Sequence, residues 1–397
     1  MTEPAPTSSR LGPEELVQTG ALTGLRVVEL GSTLMGPYCT MLLAQWGADV
    51  VKVEPPAGDP ARYIGDLQRT GMGPFFLNAN RGKRSVVLDL KMPDGARGLE
   101  ELLSTCDIVV HTLRPDAATA LGLDAASIVV RHPQCIAVAL RGFGRGGPAA
   151  EEPAYDDIIQ ARSGVAALQG GHGEPTYVRS TLVDKVVALH GLAALLAALR
   201  QRDLTGRGMA LEIPMFETMA AFNLVEQQGG LVFDPPTGPP GYRRTASSHR
   251  RPYATKDGSV AVMLYTDRHW RVFFDLIGRP ELAKSPRYRT IRERTEHIDE
   301  LYRLLAETLL ERTSQEWIDL LGPHKIPIGS VNGLSDLVDD PQLIATDFFT
   351  AVEHPAAGSL RLPRLAGPTG ANPPPARDWA PLLGADTEAV VGGSAAG

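Results

Sequence analysis

Apolar residues along this 397-residue chain gather into short β-rich runs that alternate with helical stretches. Residues 25–30 (LRVVEL) read as a buried strand, GSTLMGP after them as a tight turn, and residues 38–46 as a helix. The rhythm repeats with strands at 50–54, 85–90, 107–113 and 135–143 and a helix at 94–106. Strands alternating with helices predict an α/β fold, a doubly wound parallel sheet covered on both faces. Residues 186–202 (VVALHGLAALLAALRQR) form a very apolar helix that reads as buried on both sides, closed by a DLTGRG turn. A strand at 209–215 and a helix at 216–228 follow.

The pattern then changes. PPTGPPGYRR at 235–244 reads as a linker, and beyond it a strand at 260–265 and helices at 268–278, 299–312 and 314–321 form a smaller α+β unit. Thr313 and Glu316 have capping-box spacing at the last helix. The expected organisation is a flexible arm over residues 1–20, a large domain over 21–230 to which 340–397 return, and a small domain with its linker over 231–339. The proline run at 373–375 is expected to lie over another surface.

Composition narrows the function. The length is that of two to three domains, and 43% hydrophobic with 21% charged residues is ordinary globular composition. A net charge of −7 argues against a nucleic-acid or anionic-membrane surface. Glycine and proline, 41 and 32 residues, are abundant enough that loops are expected to build the site. Cys39, Cys106 and Cys135 lack CxxC spacing, which fits a reducing cytoplasm. The first twenty residues hold no apolar core of signal-peptide length, and the uncharged run 186–199 is short for a bilayer span, so no membrane attachment is expected. The nine histidines show no HxxxH or HxH spacing, and no metal is expected.

Four groups of residues carry candidate chemistry. Gly142, Gly144 and Gly147 match GxGxxG after a strand, but Pro148 follows instead of a helix, so a flexible loop is favoured over a dinucleotide site. VVELGSTLMGP, with Glu54 ending the next strand, has the outline of a methyltransferase turn, although Thr33 and Leu34 stand where small residues are wanted. Asp184, ahead of the apolar helix, reads first as its N-cap; the same place suits a nucleophilic carboxylate, because the helix's positive end favours the ionised form. Arg81, Lys83, Arg84, Arg114, Arg141 and Arg145 fall at strand ends or turns and read singly as solvated surface. Gathered at the carboxyl edge of a parallel sheet, they would instead make an anion pocket.

Several segments, in order and spacing, resemble the family III CoA-transferases, the group that includes formyl-CoA transferase, carnitine CoA-transferase and the α-methylacyl-CoA racemases. They are LTGLRVVELGSTLMGPYCTMLLAQWGADVVKVEPPAGDPAR, NRGKRSVVLDLK, ALRGFGRGGP, AYDDIIQARSG and VDKVVALHGLAALLAALRQRDLTGRGMALEIPMFE. The likeness runs from about residue 22 to 368. It implies a Rossmann-like large domain, a smaller domain and an interlocked homodimer in the cytoplasm. It also implies acyl-CoA and carboxylic acids as substrates, with no metal, and Asp184 as the nucleophile that carries a covalent aspartyl-CoA thioester. Asp156 falls on an acidic residue of the transferases and takes an auxiliary role. CoA is expected along the strand-end edge, with Arg81, Lys83, Arg84 and Arg114 near its phosphates, Arg141 and Tyr155 nearer the pantetheine or acyl end, and Gly142 and Gly144 in the loop beside it.

Departures from the family qualify this picture. Leu34 stands where formyl-CoA transferase has glutamine, which speaks against oxalate or formate, and Tyr155 stands where the racemases have an acid/base histidine. A tyrosine is a poor base near neutral pH, so transfer is favoured over racemisation. The family's glycine-rich loop has no counterpart in TASSHRRPY at 245–253. The donor is expected to be succinyl-CoA or another short acyl-CoA and the acceptor a branched or dicarboxylic acid. The alternatives are an acyl-CoA α-epimerase or isomerase, an S-adenosylmethionine-dependent methyltransferase and a catalytically silent CoA-binding protein.

Overall fold

A computed structural model describes residues 20–365 and 377–392. The expected N-terminal arm, up to residue 19, and the proline run at 373–375 lie outside the described residues. The chain divides into two compact units, one taking in residues up to 163, 178–220 and those from 347, the other 164–177 and 221–346. Segment 164–177, expected in the large domain, therefore belongs with the second unit. The break at 221 falls inside a continuous helix, Met215–Gln227, so the Pro/Gly-rich linker lies past the boundary rather than on it.

In the first unit six strands, β1 (Arg26–Leu30), β2 (Asp49–Glu54), β3 (Arg84–Val87), β4 (Ile108–His111), β5 (Ile136–Arg141) and β6 (Ala210–Pro214), form one parallel sheet in the order β3-β2-β1-β4-β5-β6. The winding reverses between β1 and β4, which leaves a crevice beyond their carboxyl ends. Alternation along β1 divides the layers. Val28 and Leu30 join Val51, Val86, Leu99 and Leu103 in the core under α2 (Pro93–Ser104). Glu29 faces the other way, toward Thr40 of α1 (Met35–Gln45).

The apolar helix, α4, runs over Leu182–Thr205 and ends at Gly206, whose left-handed φ of 70° supplies the C-cap. A short helix, α3 (Asp156–Arg162), precedes it. By length and a hydropathy of 1.9, α4 could cross a membrane, but Val183, Val187, Gly191, Leu195 and Ala198 form a buried stripe, and the helix packs on α1, α3, β5 and β6. Burial on both sides, as the composition predicts, does not hold: Leu189, Ala193 and Ala197 are exposed. The second unit places an antiparallel sheet of β7 (Tyr253–Ala254), β8 (Ser259–Val262) and β9 (Ile328–Ser330) against helices including Asp267–Leu276, Ile298–Leu309 and Ser314–Leu321. Its core is aromatic, with Trp270, Phe273, Phe274 and Trp317 buried. The capping box closes as predicted: Glu316 N–H donates to Thr313 Oγ1 at 3.2 Å and Thr313 N–H to Glu316 Oε2 at 2.8 Å.

Candidate active site

A cleft of about 700 Å³ opens at the winding reversal. Its walls are the turn after β1 (Ser32–Met35), the residues after β4 (Thr112–Ala117), the end of β5 (Arg141 and Gly142), segment 150–155 and Asp184 on α4. The turn after β1 is held in a strained form: Thr33 has φ 67°, and its N–H is tied to Asp59 Oδ1 at 3.0 Å.

Asp184 is not the N-cap of its helix. Thr181 occupies that position without a side-chain cap, and Asp184 sits two residues inside the first turn. The backbone N–H of Asp184 is satisfied from a neighbouring helix, donating to Asp156 Oδ1 at 3.0 Å. Asp156 is 8% exposed, and its other oxygen accepts from Gln160 Nε2 at 2.6 Å. Gln160 is fully buried and also accepts the Val178 N–H at 2.8 Å, locking the approach to α4. Asp156 thus takes the helix terminus, and the Asp184 carboxyl is left to the cleft. Burial, and then the Asp156 carboxylate, push Asp184 up to about 7. The helix end favours the ionised form, but burial and a second acid act against it and are the larger influence.

Of the residues expected to bind CoA or act in catalysis, the cleft brings together Arg114, Arg141, Gly142, Tyr155 and Asp184. Arg114 is exposed and makes no ion pair among the described residues. Arg141 is 7% exposed, bonded to Glu212 at 3.2 Å and to the Ala150 carbonyl at 3.0 Å, with Nε unpartnered. Tyr155 is exposed at the rim. Asp156 stands behind Asp184 rather than in the cleft wall. Gly144 serves packing: its N–H donates to Glu217 at 3.0 Å, and a Cβ there would come within 2.7 Å of that carboxylate. At Gly142 a Cβ would collide with the Ala154 methyl.

The three basic residues near β3 lie elsewhere. Lys83 is fully buried and donates to Glu29 Oε2 at 2.7 Å, Asn80 Oδ1 at 2.8 Å and the Pro37 carbonyl at 2.8 Å. Arg84 pairs with Asp49 through Nε at 2.8 Å; both begin their strands, at the edge of the sheet opposite the cleft. Arg81 lines a separate cavity. CoA phosphates expected at Lys83 and Arg84 meet full burial at the first and the wrong end of the strand at the second, neither of which a run of basic letters reveals. Glu54 is likewise unavailable to a methyltransferase ligand, since it is buried and bonded to Arg62 at 2.6 Å and to Ser85 Oγ at 2.7 Å.

Gln160 went unnoticed in the sequence. The signal was present as Asp156 and Gln160 at i and i+4 on a helix, a spacing that brings the two side chains together. Among the described residues no group of three or more His, Cys, Asp or Glu side chains is placed to hold a metal ion.

Comparison with known proteins bears on this geometry. The profile of CoA-transferase family III matches residues 22–387. The chain is 28% identical over 386 residues to a succinyl-CoA:glutarate CoA-transferase of Mus musculus, covering 93% of this chain and 85% of that protein. It is 32% identical over 353 residues to a succinyl-CoA:mesaconate CoA-transferase of Haloarcula hispanica, with 85% and 87% covered. Among solved structures it is similar to a hypothetical protein from Mycobacterium tuberculosis (TM-score 0.80, 26% identity, 94% of this chain and 99% of that one). It is also similar to a CaiB/BaiF family protein from Brucella suis (TM-score 0.76, 28% identity, 94% and 99%).

Proposed function

The chain belongs to CoA-transferase family III, and from that premise we propose that it moves CoA from an acyl-CoA to an acceptor carboxylic acid through a covalent thioester on Asp184. The carrying observation is a carboxyl group in a deep cleft, unbonded through its side chain and pushed up to about 7 by burial and Asp156. In its ionised form Asp184 attacks the acyl carbonyl, the carbon–sulfur bond breaks and CoA leaves as thiolate, giving a mixed anhydride. The thiolate then attacks the aspartyl carbonyl and expels the donor acid, leaving aspartyl-CoA. The acceptor carboxylate attacks that thioester and releases the thiolate, which takes the acceptor acyl group and frees Asp184. Each step exchanges one activated acyl bond for another, so nothing beyond the two substrates is consumed.

Asp156 is a positioning residue in this scheme. It holds the Asp184 amide and, by its charge, keeps the nucleophile basic. Arg114, exposed and unpaired at the cleft mouth, suits a CoA phosphate, and Arg141 and Tyr155 suit the pantetheine or acyl end. Succinyl-CoA is the proposed donor, on the strength of relatives named for it. We place the enzyme in the cytoplasm as a homodimer with a Rossmann-like large domain. The exposed apolar residues Phe222 and Val225 in Met215–Gln227 support a partner surface. Light scattering of the purified chain at micromolar concentration is expected to give twice the 42.5 kDa chain mass.

Trapping tests the mechanism. Incubation with succinyl-CoA, then hydroxylamine or borohydride, followed by peptide mapping, is expected to modify Asp184 alone; modification of another residue, or none, refutes the scheme. The pH dependence follows from the same group. Because the attacking form is ionised, kcat/KM is expected to rise with pH through about 7. In Asp156→Asn, which keeps an oxygen for the Asp184 amide but removes the charge, that rise is expected to move to lower pH. A profile that stays in place would remove Asp156 as its cause.

A further inference from the structure

A second cavity, of about 420 Å³, opens against the same turn of α4. Thr181 and Lys185, on either side of Asp184 in sequence, line it, and Leu34 lines both this space and the cleft. Arg81 also lines it. That side chain is 4% exposed, forms no ion pair among the described residues, and its Nε has no hydrogen-bond partner. Burial works against its charge, and the Asp378 carboxylate offsets this only in part. A guanidinium withheld from water without a carboxylate is unfavourable. The lining contains no acidic side chain, while Met41 and Phe75 give it an apolar wall. Such a space suits a short apolar chain ending in a single anionic group.

We propose that this cavity receives the remote carboxylate of a dicarboxylic acid whose other carboxyl group reacts at Asp184, with Arg81 as the residue that selects it. The proposal rests on the reading of Asp184 as the acylated group. Lys185 is already engaged with Ser180 Oγ at 2.6 Å, which leaves Arg81 as the unpaired donor. Arginine is suited to the task because its planar fork matches a carboxylate.

Acceptors of equal chain length with and without the second carboxylate provide the test: succinate against butyrate, and glutarate against pentanoate. The covalent intermediate separates the two half-reactions, so kcat/KM for the acceptor does not depend on the donor step. The parental enzyme is expected to prefer the dicarboxylates, and in Arg81→Gln that preference should fall by about 10- to 100-fold, the size of one lost charged hydrogen bond. Arg81→Lys should restore part of it. A preference that changes by less than about threefold, or equal losses on both kinds of acid, overturns the proposal. Trapping on the same samples separates the two levels. Labelled Asp184 with an unmoved preference sinks only the carboxylate pocket, whereas an unlabelled parental Asp184 sinks the mechanism and this pocket with it.

Discussion

With asparagine in place of Asp184, CoA exchange between acids is expected to fall by at least about 10⁴-fold in kcat, with acyl-CoA affinity held within a few fold. The amide keeps the shape of the carboxylate but cannot form the anhydride on which every later step depends. A variant that exchanges CoA at more than about one per cent of the parental rate would exclude Asp184 as the acylated group. The same variant is expected to melt at a higher temperature than the parent at pH 8. Folding raises this carboxyl from 3.8 to about 7, so the folded protein binds the proton more tightly than the unfolded chain does. Its contribution to stability is full below pH 3.8, declines as pH climbs between the two values, and is lost above 7. The gain from asparagine should therefore be greatest at pH 8 and vanish toward pH 4. Melting curves of the two proteins across that range measure it.

The second large effect concerns a side chain outside the cleft lining. Glu29 is fully buried between two fully buried lysines, with Lys52 Nζ at 3.0 Å and Lys83 Nζ at 2.7 Å, and it also accepts from Thr40 at 2.7 Å. Burial alone would raise its pKa; the two lysines outweigh this and hold it at about 2. Lys83, for which burial dominates, is brought down to about 8. Glu29→Gln leaves Lys83 without a counter-ion, while Lys52 keeps Asp59 at 2.8 Å, and is expected to destabilise the fold by about 3–5 kcal/mol, lowering Tm on the order of 10 °C. Adding Lys83→Met should recover most of the loss, since removing both partners avoids an orphaned charge. The linkage has the opposite direction from that of Asp184. The stabilisation from Glu29 is complete above pH 4.5 and is lost as pH falls toward 2. Chemical denaturation at pH 7 and pH 3 should show the variant and the parent converging at the lower pH.

The network also shows where reading letters failed. Glu29, Lys52 and Lys83 stand far apart in the chain, and a lysine in NRGKRS is indistinguishable by type from one that meets a phosphate. Parallel register sets Glu29 beside Lys52, and α1 covers both, so charges that look like surface become interior. Cys106 and Cys135 make the same point. Nothing in their spacing says that their sulfurs approach to 3.8 Å, because that depends on β4 and β5 being neighbours.

Local signals are legible where the cause is local. The strands and helices of the first unit follow from apolar periodicity, since a segment buried on both faces must be apolar throughout and an amphipathic helix must repeat near 3.6. The capping box needs only residues three apart. The helix carrying Asp184 is legible too, although the apolar run starts it at 186 and the structure at 182, because the Asp and Lys of LVDK interrupt the run. The segments that carry the family likeness were likewise present as letters.

From its own letters the chain determined an alternating α/β order, an aspartate at the head of an apolar helix and membership of a CoA-transferring family, all properties of neighbouring residues. Only the tertiary structure decided that Asp156 takes the helix terminus and leaves Asp184 with a raised carboxyl. The same is true of Lys83 turning inward to Glu29 and of Arg81 facing a cavity beside the helix turn that carries Asp184. Ionisation and access depend on what surrounds a group, and those surroundings are assembled from segments distant in the chain once the sheet has closed.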